Sequence, residues 1–237
     1  MRYRLQSGVD VSLPQLRPVR SKPESLTELV IDAIKDAIVE KALPPGTRVS
    51  EAMLAARLEV SKTPVREALL RLRHIGLVEP IGNGLQVVQP SRETIQDAYE
   101  LRAGLERASA KHAATRRTEA DHLLLNELAE KSLACAKAAD VAGFRDSDRK
   151  FHRLVAGCSG NRALAAAIDD ALLLTSALRL RDVPRNGDSV ACAAEHVEIA
   201  RLITRGQADL AATAMERHIE HVMSTVLALV SKSGTGT

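Results

Sequence analysis

Tryptophan is absent from this chain of 237 residues, and tyrosine and phenylalanine occur only twice each. So little aromatic surface argues against a sheet-rich core and favours close-packed helices rich in alanine and leucine, a mainly α fold. Cysteine is equally sparse: Cys135, Cys158 and Cys192 are odd in number and widely spaced within Ala/Leu-rich sequence. They read as small core residues in a reducing compartment, not as a disulfide framework. No apolar run approaches the ~18 residues that span a bilayer. The opening Met-Arg-Tyr-Arg-Leu-Gln-Ser lacks a signal-peptide core. A cytoplasmic protein without a membrane partner is therefore expected, and no internal repeat is visible.

What is present is a globular composition, 45 % hydrophobic, in a length that suits one large domain or two ordinary ones. The formal net charge is +3, and it is unevenly placed. Residues 1–90 hold 13 Lys+Arg against 10 Asp+Glu, whereas residues 91–237 hold 20 against 20. Any affinity for a polyanion thus belongs to the N-terminal part.

Residues 1–22 carry scattered arginines and two prolines without periodicity and read as a flexible arm. Ser25 followed by Glu28 makes a capping box for a first helix that runs to about Ala42, its stripe being Leu26, Val30, Ala33, Ile34, Ala37 and Ile38. Pro44-Pro45-Gly46 stops it, and Thr47 to Val49 is extended. Ser50 caps a short second helix with Met53, Leu54 and Leu58. A third begins at Ser61 or Thr63, tolerating Pro64 in its first turn. Val65, Ala68, Leu69 and Leu72 fall at i, i+3, i+4 and i+7 and face a core, leaving Lys62, Thr63 and Arg66 on the opposite side. After Gly76, two short apolar stretches flank Gly82-Asn83-Gly84, which reads as a hairpin.

Two short helices, a tight turn and a hairpin make a winged helix-turn-helix, expected over residues 23–90. Lys62, Thr63 and Arg66 would enter the major groove of double-stranded operator DNA, with Ser61 and the wing on phosphates. A solvated basic face is the plainer use of Arg66 taken alone. The run Leu-Pro-Pro-Gly-Thr-Arg-Val-Ser-Glu at 43–51, with Val-Ser-Lys-Thr-Pro-Val-Arg-Glu-Ala-Leu at 60–69, resembles the GntR family of bacterial transcription regulators. The resemblance implies operator contacts at Ser61, Lys62, Thr63 and Arg66, with Gly84 at the wing tip. Ala52 stands where some members carry a DNA-contacting arginine, so base preference does not transfer.

From Ser91 the sequence is helical almost throughout. One segment carries Ile95, Ala98, Leu101, Leu105 and Ala108; the next opens at Thr118. A third covers Val141 to Ala156 and breaks at Gly157 and Gly160-Asn161. Asp182 to Asp188 is a loop, and two further helices run over about 189–205 and 208–231, before a tail at 232–237. Asp148 and His152 lie four apart, so one helix presents a carboxylate and an imidazole on one face, a metal-ligand spacing that is also that of an ordinary helical pair. His196 and His218 sit on apolar faces where an imidazole needs a partner, and could close a site.

Tyr99-Glu-Leu-Arg102-Ala-Gly-Leu-Glu106, Asp148-x-x-Phe-His152, Ser159-Gly-Asn161, Glu195-His196 and Met215-x-x-His218 together resemble the FCD effector domain of the FadR subfamily. This implies an all-helical antiparallel bundle over residues 91–231, a homodimer, and a metal on Asp148, His152, His196 and His218. Three imidazoles and a carboxylate suit zinc first, with nickel, manganese or iron as alternatives. Open coordination positions could take a small carboxylate or sugar acid, whose far end Arg102 would clamp with its planar fork, unless Arg102 only pairs with Glu106. Asn161 is a second effector candidate or simply a turn and cap. The expected function is a ligand-responsive regulator, not an enzyme. A metal-dependent hydrolase or isomerase at the same cluster, and a purely structural metal, are the competing readings.

Overall fold

A computed structural model describes residues 26–179 and 188–233. The Ser25 capping box, the N-terminal arm, most of the loop expected at 182–188 and residues 234–237 lie outside them. Among the described residues the chain forms α1 (Leu26–Val39), β1 (Arg48–Val49), α2 (Glu51–Leu58), α3 (Lys62–Ile75), β2 (Val78–Ile81) and β3 (Gly84–Val87). Six longer helices follow: α4 (Arg92–Arg116), α5 (Glu119–Lys137), α6 (Val141–Cys158), α7 (Arg162–Leu178), α8 (Asp188–Thr204) and α9 (Ala208–Ser233).

Local chemistry sets the N-terminal unit. Ser50 caps α2 by accepting from the amide of Met53, and Glu59 closes that helix in the left-handed region. Val65, Ala68, Leu69 and Leu72 are all buried on α3, as their spacing predicts. On α1 the buried stripe is Val30, Ile31, Ile34 and Ile38. It is rotated from the expected one: Leu26 and Ala33 face outward and Ile31 inward. Gly76 ends α3 at φ 88°, a left-handed cap that a Cβ would strain. Antiparallel β2 and β3 then meet with Ile81 opposite Gly84, leaving Gly82-Asn83 as a two-residue connection, and β1 pairs with the other edge of β3. The φ of 54° at Gly82 suits the sharp reversal of such a short link.

Capping boxes start α4 (Ser91 with Thr94) and α5 (Thr118 with Asp121), each supplying two otherwise unsatisfied groups. α4 packs along α9 and α7, while α5 lies against α6 and α8. Two expectations fail here. Leu101 is 56 % exposed, and the inward face of α4 instead carries Ile95, Ala98, Tyr99, Arg102 and Glu106, because a buried ion pair takes the turn that leucine was expected to fill. Helix α6 runs through Gly157 to Cys158, and the reversal comes at Gly160, where φ is 64°. Helical hydrogen bonding on both sides of Gly157 outweighs its modest cost in a helix interior.

Two cores result. One gathers Ile34, Leu54, Leu69, Leu72 and Val78; the other gathers Ile95, Tyr99, Phe151, Ile199 and Ile219. Helix α7 serves both, since Ala177 and Leu173 pack into the first, and Asp170 takes a bidentate contact from Arg71 on α3 at 2.9–3.0 Å.

Replacing Gly76 by alanine should lower unfolding stability by about 1 kcal/mol through left-handed strain. The added Cβ meets only Leu174 side-chain atoms at 3.5 Å or more. Denaturant titration of the two proteins measures the difference, and unchanged stability would show that the cap relaxes without cost.

Candidate functional site

Three helices converge on one buried cluster. Helix α6 presents Asp148 and His152 one turn apart, α8 presents His196 and α9 presents His218, and none is more than 8 % exposed. The Nε2 atoms of His196 and His218 lie 3.2 Å apart. Asp148 Oδ1 is 3.5 Å from His196 Nε2 and 3.8 Å from His152 Nε2. The four residues named from the sequence are thus brought together.

The outward nitrogens explain why the inner ones point as they do. His152 Nδ1 meets the Glu106 carboxylate of α4, His196 Nδ1 lies 3.2 Å from Ser132 Oγ on α5, and His218 Nδ1 lies 2.8 Å from Glu195 Oε2. An ionised carboxylate only accepts, so a neutral imidazole facing Glu106 or Glu195 carries its proton on Nδ1 and turns a lone pair inward at Nε2. His152 Nε2 is buried with no hydrogen-bond partner among the described residues. His152 and His218 therefore turn lone pairs inward towards the Asp148 carboxylate, a donor set that could hold a cation.

The electrostatics agree. Burial opposes ionisation of Asp148, but attraction by His152 and Arg179 outweighs it and holds the carboxyl well below the usual range. Burial, then the neighbouring His218, pushes His196 well below the ordinary histidine value; burial also lowers His218, against the pull of Glu195. Low values favour the neutral imidazoles that bind metals. Glu106 is fully buried; desolvation would raise it, yet His152 and Arg102 bring it down to about 2.

Cys192, one turn before His196, was read from the sequence as packing only. Its sulfur belongs with Asp148, His196 and His218 to a group whose potential ligand atoms lie within 4.8 Å of one another. Burial and the charge of Asp148 push its thiol up, away from the thiolate that ligates metals. Neutral imidazole needs no such ionisation, and the orphaned His152 Nε2 fits the donor set better. His221, three residues beyond His218, shares Glu195 from outside the cluster at 3.0 Å and is about one-third exposed.

Beside Asp148 a cavity of 440 Å³ opens, lined in part by Arg102, Arg145, Arg149 and Arg179. Arg102 lines it and also donates through Nε to Glu106 Oε1 at 2.5 Å, so pairing with Glu106 leaves it on the cavity wall. Arg179 Nε donates to the Tyr99 hydroxyl at 2.9 Å. Asn161 is not brought to the site. Its side chain accepts from the amides of Ala163 and Leu164 at the start of α7, the capping role that Gly160-Asn161 also allowed. Glu106, Glu195, Ser132 and Arg179 were missed as site residues. Only Glu106 and Glu195 had a signal, standing within the motifs around Arg102 and His196.

In the N-terminal unit, Ser61, Lys62, Thr63 and Arg66 form an exposed row at the start of α3. Ser61 makes no side-chain cap bond. Arg66 donates from Nε and a terminal nitrogen to the Glu51 carboxylate at 2.8 and 2.9 Å, which fixes the guanidinium plane. Arg66, Arg73 and Gly84 line one groove between α3 and the hairpin.

Residues 26–84 match the family described as bacterial regulatory proteins, gntR family, and residues 97–221 match the FCD domain. The chain belongs to the GntR family of bacterial regulatory proteins, with an FCD domain. It is a transcriptional regulator, not an enzyme. An uncharacterized HTH-type regulator in an unstable DNA locus of Streptomyces ambofaciens is 30 % identical over 197 residues, 81 % of each chain. A probable D-xylose utilization operon repressor of Paenarthrobacter nicotinovorans is 29 % identical, covering 80 % of this chain and 84 % of the relative. The solved structure of E. coli McbR/YncC shares the fold with TM-score 0.69 at 21 % identity, over 89 % of this chain and 99 % of that one. No described helix is long and apolar enough to cross a membrane.

Glu106→Leu should cost about 3–5 kcal/mol of stability by stranding the buried Arg102 guanidinium. The double variant with Arg102→Leu should lose less than the sum of the two single changes. Chemical denaturation of the four proteins measures the coupling, and strict additivity would refute the pairing.

Proposed function

We propose that this GntR/FCD regulator binds a pseudo-palindromic operator as a homodimer and is controlled by a small carboxylate or sugar acid. That acid would bind at a divalent transition metal held by Asp148, His152, His196 and His218. The observation that carries the reading is the inward convergence of the three Nε2 atoms on a carboxylate, with His152 Nε2 buried and without a hydrogen-bond partner among the described residues. Zinc suits three imidazoles and one carboxylate, and nickel, manganese or iron would accept the same donors.

A metal held by these four residues would supply a fixed positive centre suited to a carboxylate oxygen. The protein does the rest. Glu106, Ser132 and Glu195 keep the imidazoles turned inward. Arg102, held rigid by Glu106, offers its remaining N–H groups to the cavity beside Asp148. A ligand shifts the equilibrium between two arrangements of the winged helices only by the difference in its affinity for each. On the DNA side, Lys62, Thr63 and Arg66 meet base edges, Ser61 and Gly84 meet phosphates, and Glu51 orients Arg66 for its contact.

Elemental analysis of purified protein should find close to one metal per chain. His152→Ala and His196→Ala should lose it, while Cys192→Ser keeps it. Metal retained without His152 and lost without Cys192 would reassign the ligand set. A melting screen over small carboxylates and sugar acids should show an acid-specific rise that His196→Ala abolishes. A metal-loaded protein that no acid stabilises would make the metal purely structural.

With an operator selected from random duplexes, Arg66→Ala should weaken binding about 10–100-fold. Equal affinity for selected and random DNA in the unaltered protein would reject α3 as a sequence reader.

A further inference from the structure

The 440 Å³ cavity is walled by both halves of the chain. Arg102, Arg145, Asp148, Arg149 and Arg179 come from the bundle, and Val39, Glu40 and Lys41 come from the end of α1 in the DNA-binding unit. Five of these side chains are cationic and two are anionic. One acid group placed beside Asp148 would be served by Arg102, leaving the outer cations of the same wall to meet a second.

Lys41 is the unusual member. It stands at φ 62°, just past the end of α1, where glycine would relax the backbone. Its half-buried ammonium donates to the carbonyl oxygen of Ala177 near the end of α7, and among the described residues no carboxylate lies within ion-pair distance of it. A carboxylate offered in place of that neutral carbonyl adds charge–charge attraction to the ammonium's hydrogen bond, so Lys41 gains by exchanging its partner.

Resting on the reading of the bundle as an effector site, we propose that the effector is at least a diacid. One carboxylate is bound beside Asp148 and Arg102, and the other by Lys41 and Arg149 at the seam. Capture by the ligand turns Lys41 from Ala177. That releases one of the polar ties between the DNA-binding unit and α7, of which the Arg71–Asp170 pair is another. Ligand charge is thereby read directly by the unit that binds DNA.

Calorimetry on the metal-loaded full-length protein tests this with four diacids, each against the monoacid of equal chain length: malonate with propionate, succinate with butyrate, glutarate with valerate, glucarate with gluconate. At least one diacid should bind about tenfold or more tightly than its monoacid. Lys41→Met, which keeps a side chain at the strained position, should erase that preference, and Lys41→Arg should retain it. Arg149 is half-exposed with only a 3.9 Å contact to Asp146. Arg149→Met therefore folds safely and should also reduce the preference severalfold.

Absence of any diacid preference, or a preference that survives in both methionine variants, overturns the proposal. In either case acid binding that persists and vanishes in His196→Ala leaves the bundle site standing. A protein that holds no metal removes the bundle reading itself.

Discussion

A carboxylate taken out of water inside a helical bundle must be met by positive charge or by donors, and Glu106 meets that demand twice. It accepts from Arg102 on its own helix and from His152 on α6. The pair sets the rotation of α4, because the turn that buries Arg102 and Glu106 is the turn that puts Leu101 outside. It also sets the tautomer of His152, and so the direction of its free nitrogen. The geometry of the cluster depends on this one buried network, whose members would each be costly to bury alone.

Repetition of the same device gives the site its character. Glu195 does for His218 what Glu106 does for His152, and Ser132 does it more weakly for His196. Hydrogen bonds placed outside the cluster keep neutral imidazoles aimed at its centre. Asp148 stays ionised among them because nearby charge, including that of Arg179 and Arg102, outweighs its desolvation. The result is a preorganised polar cluster in an interior that is otherwise apolar.

Helix α7 makes the molecule more than two cores in series. Leu173 and Ala177 fill the core of the DNA-binding unit, and the same helix packs on α4, which carries Arg102. Asp170 and the Ala177 carbonyl add polar ties to α3 and to Lys41. A displacement in the cavity wall thus has a short route to the recognition helix, through side chains that touch.

Much of this was legible in the residues alone. Caps at Ser50, Ser91 and Thr118, the Gly82-Asn83 turn and the buried face of α3 follow from short-range hydrogen bonding and periodicity, which act over a few residues. The Asp148/His152 spacing and the apolar settings of His196 and His218 marked candidates, and the resemblance to the FCD domain joined them into one cluster. Asn161 could be read either way, and only the fold shows it capping α7 away from the cavity. The inward turn of α4, the partnership of Glu195 with His218, the nearness of Cys192 and the seam that brings Lys41 to Ala177 were decided by tertiary structure. Each depends on how one helix is rotated and placed against another, and periodicity marks a face only to within about one residue in the turn. Local spacing determined which side chains could serve; long-range packing decided which of them meet.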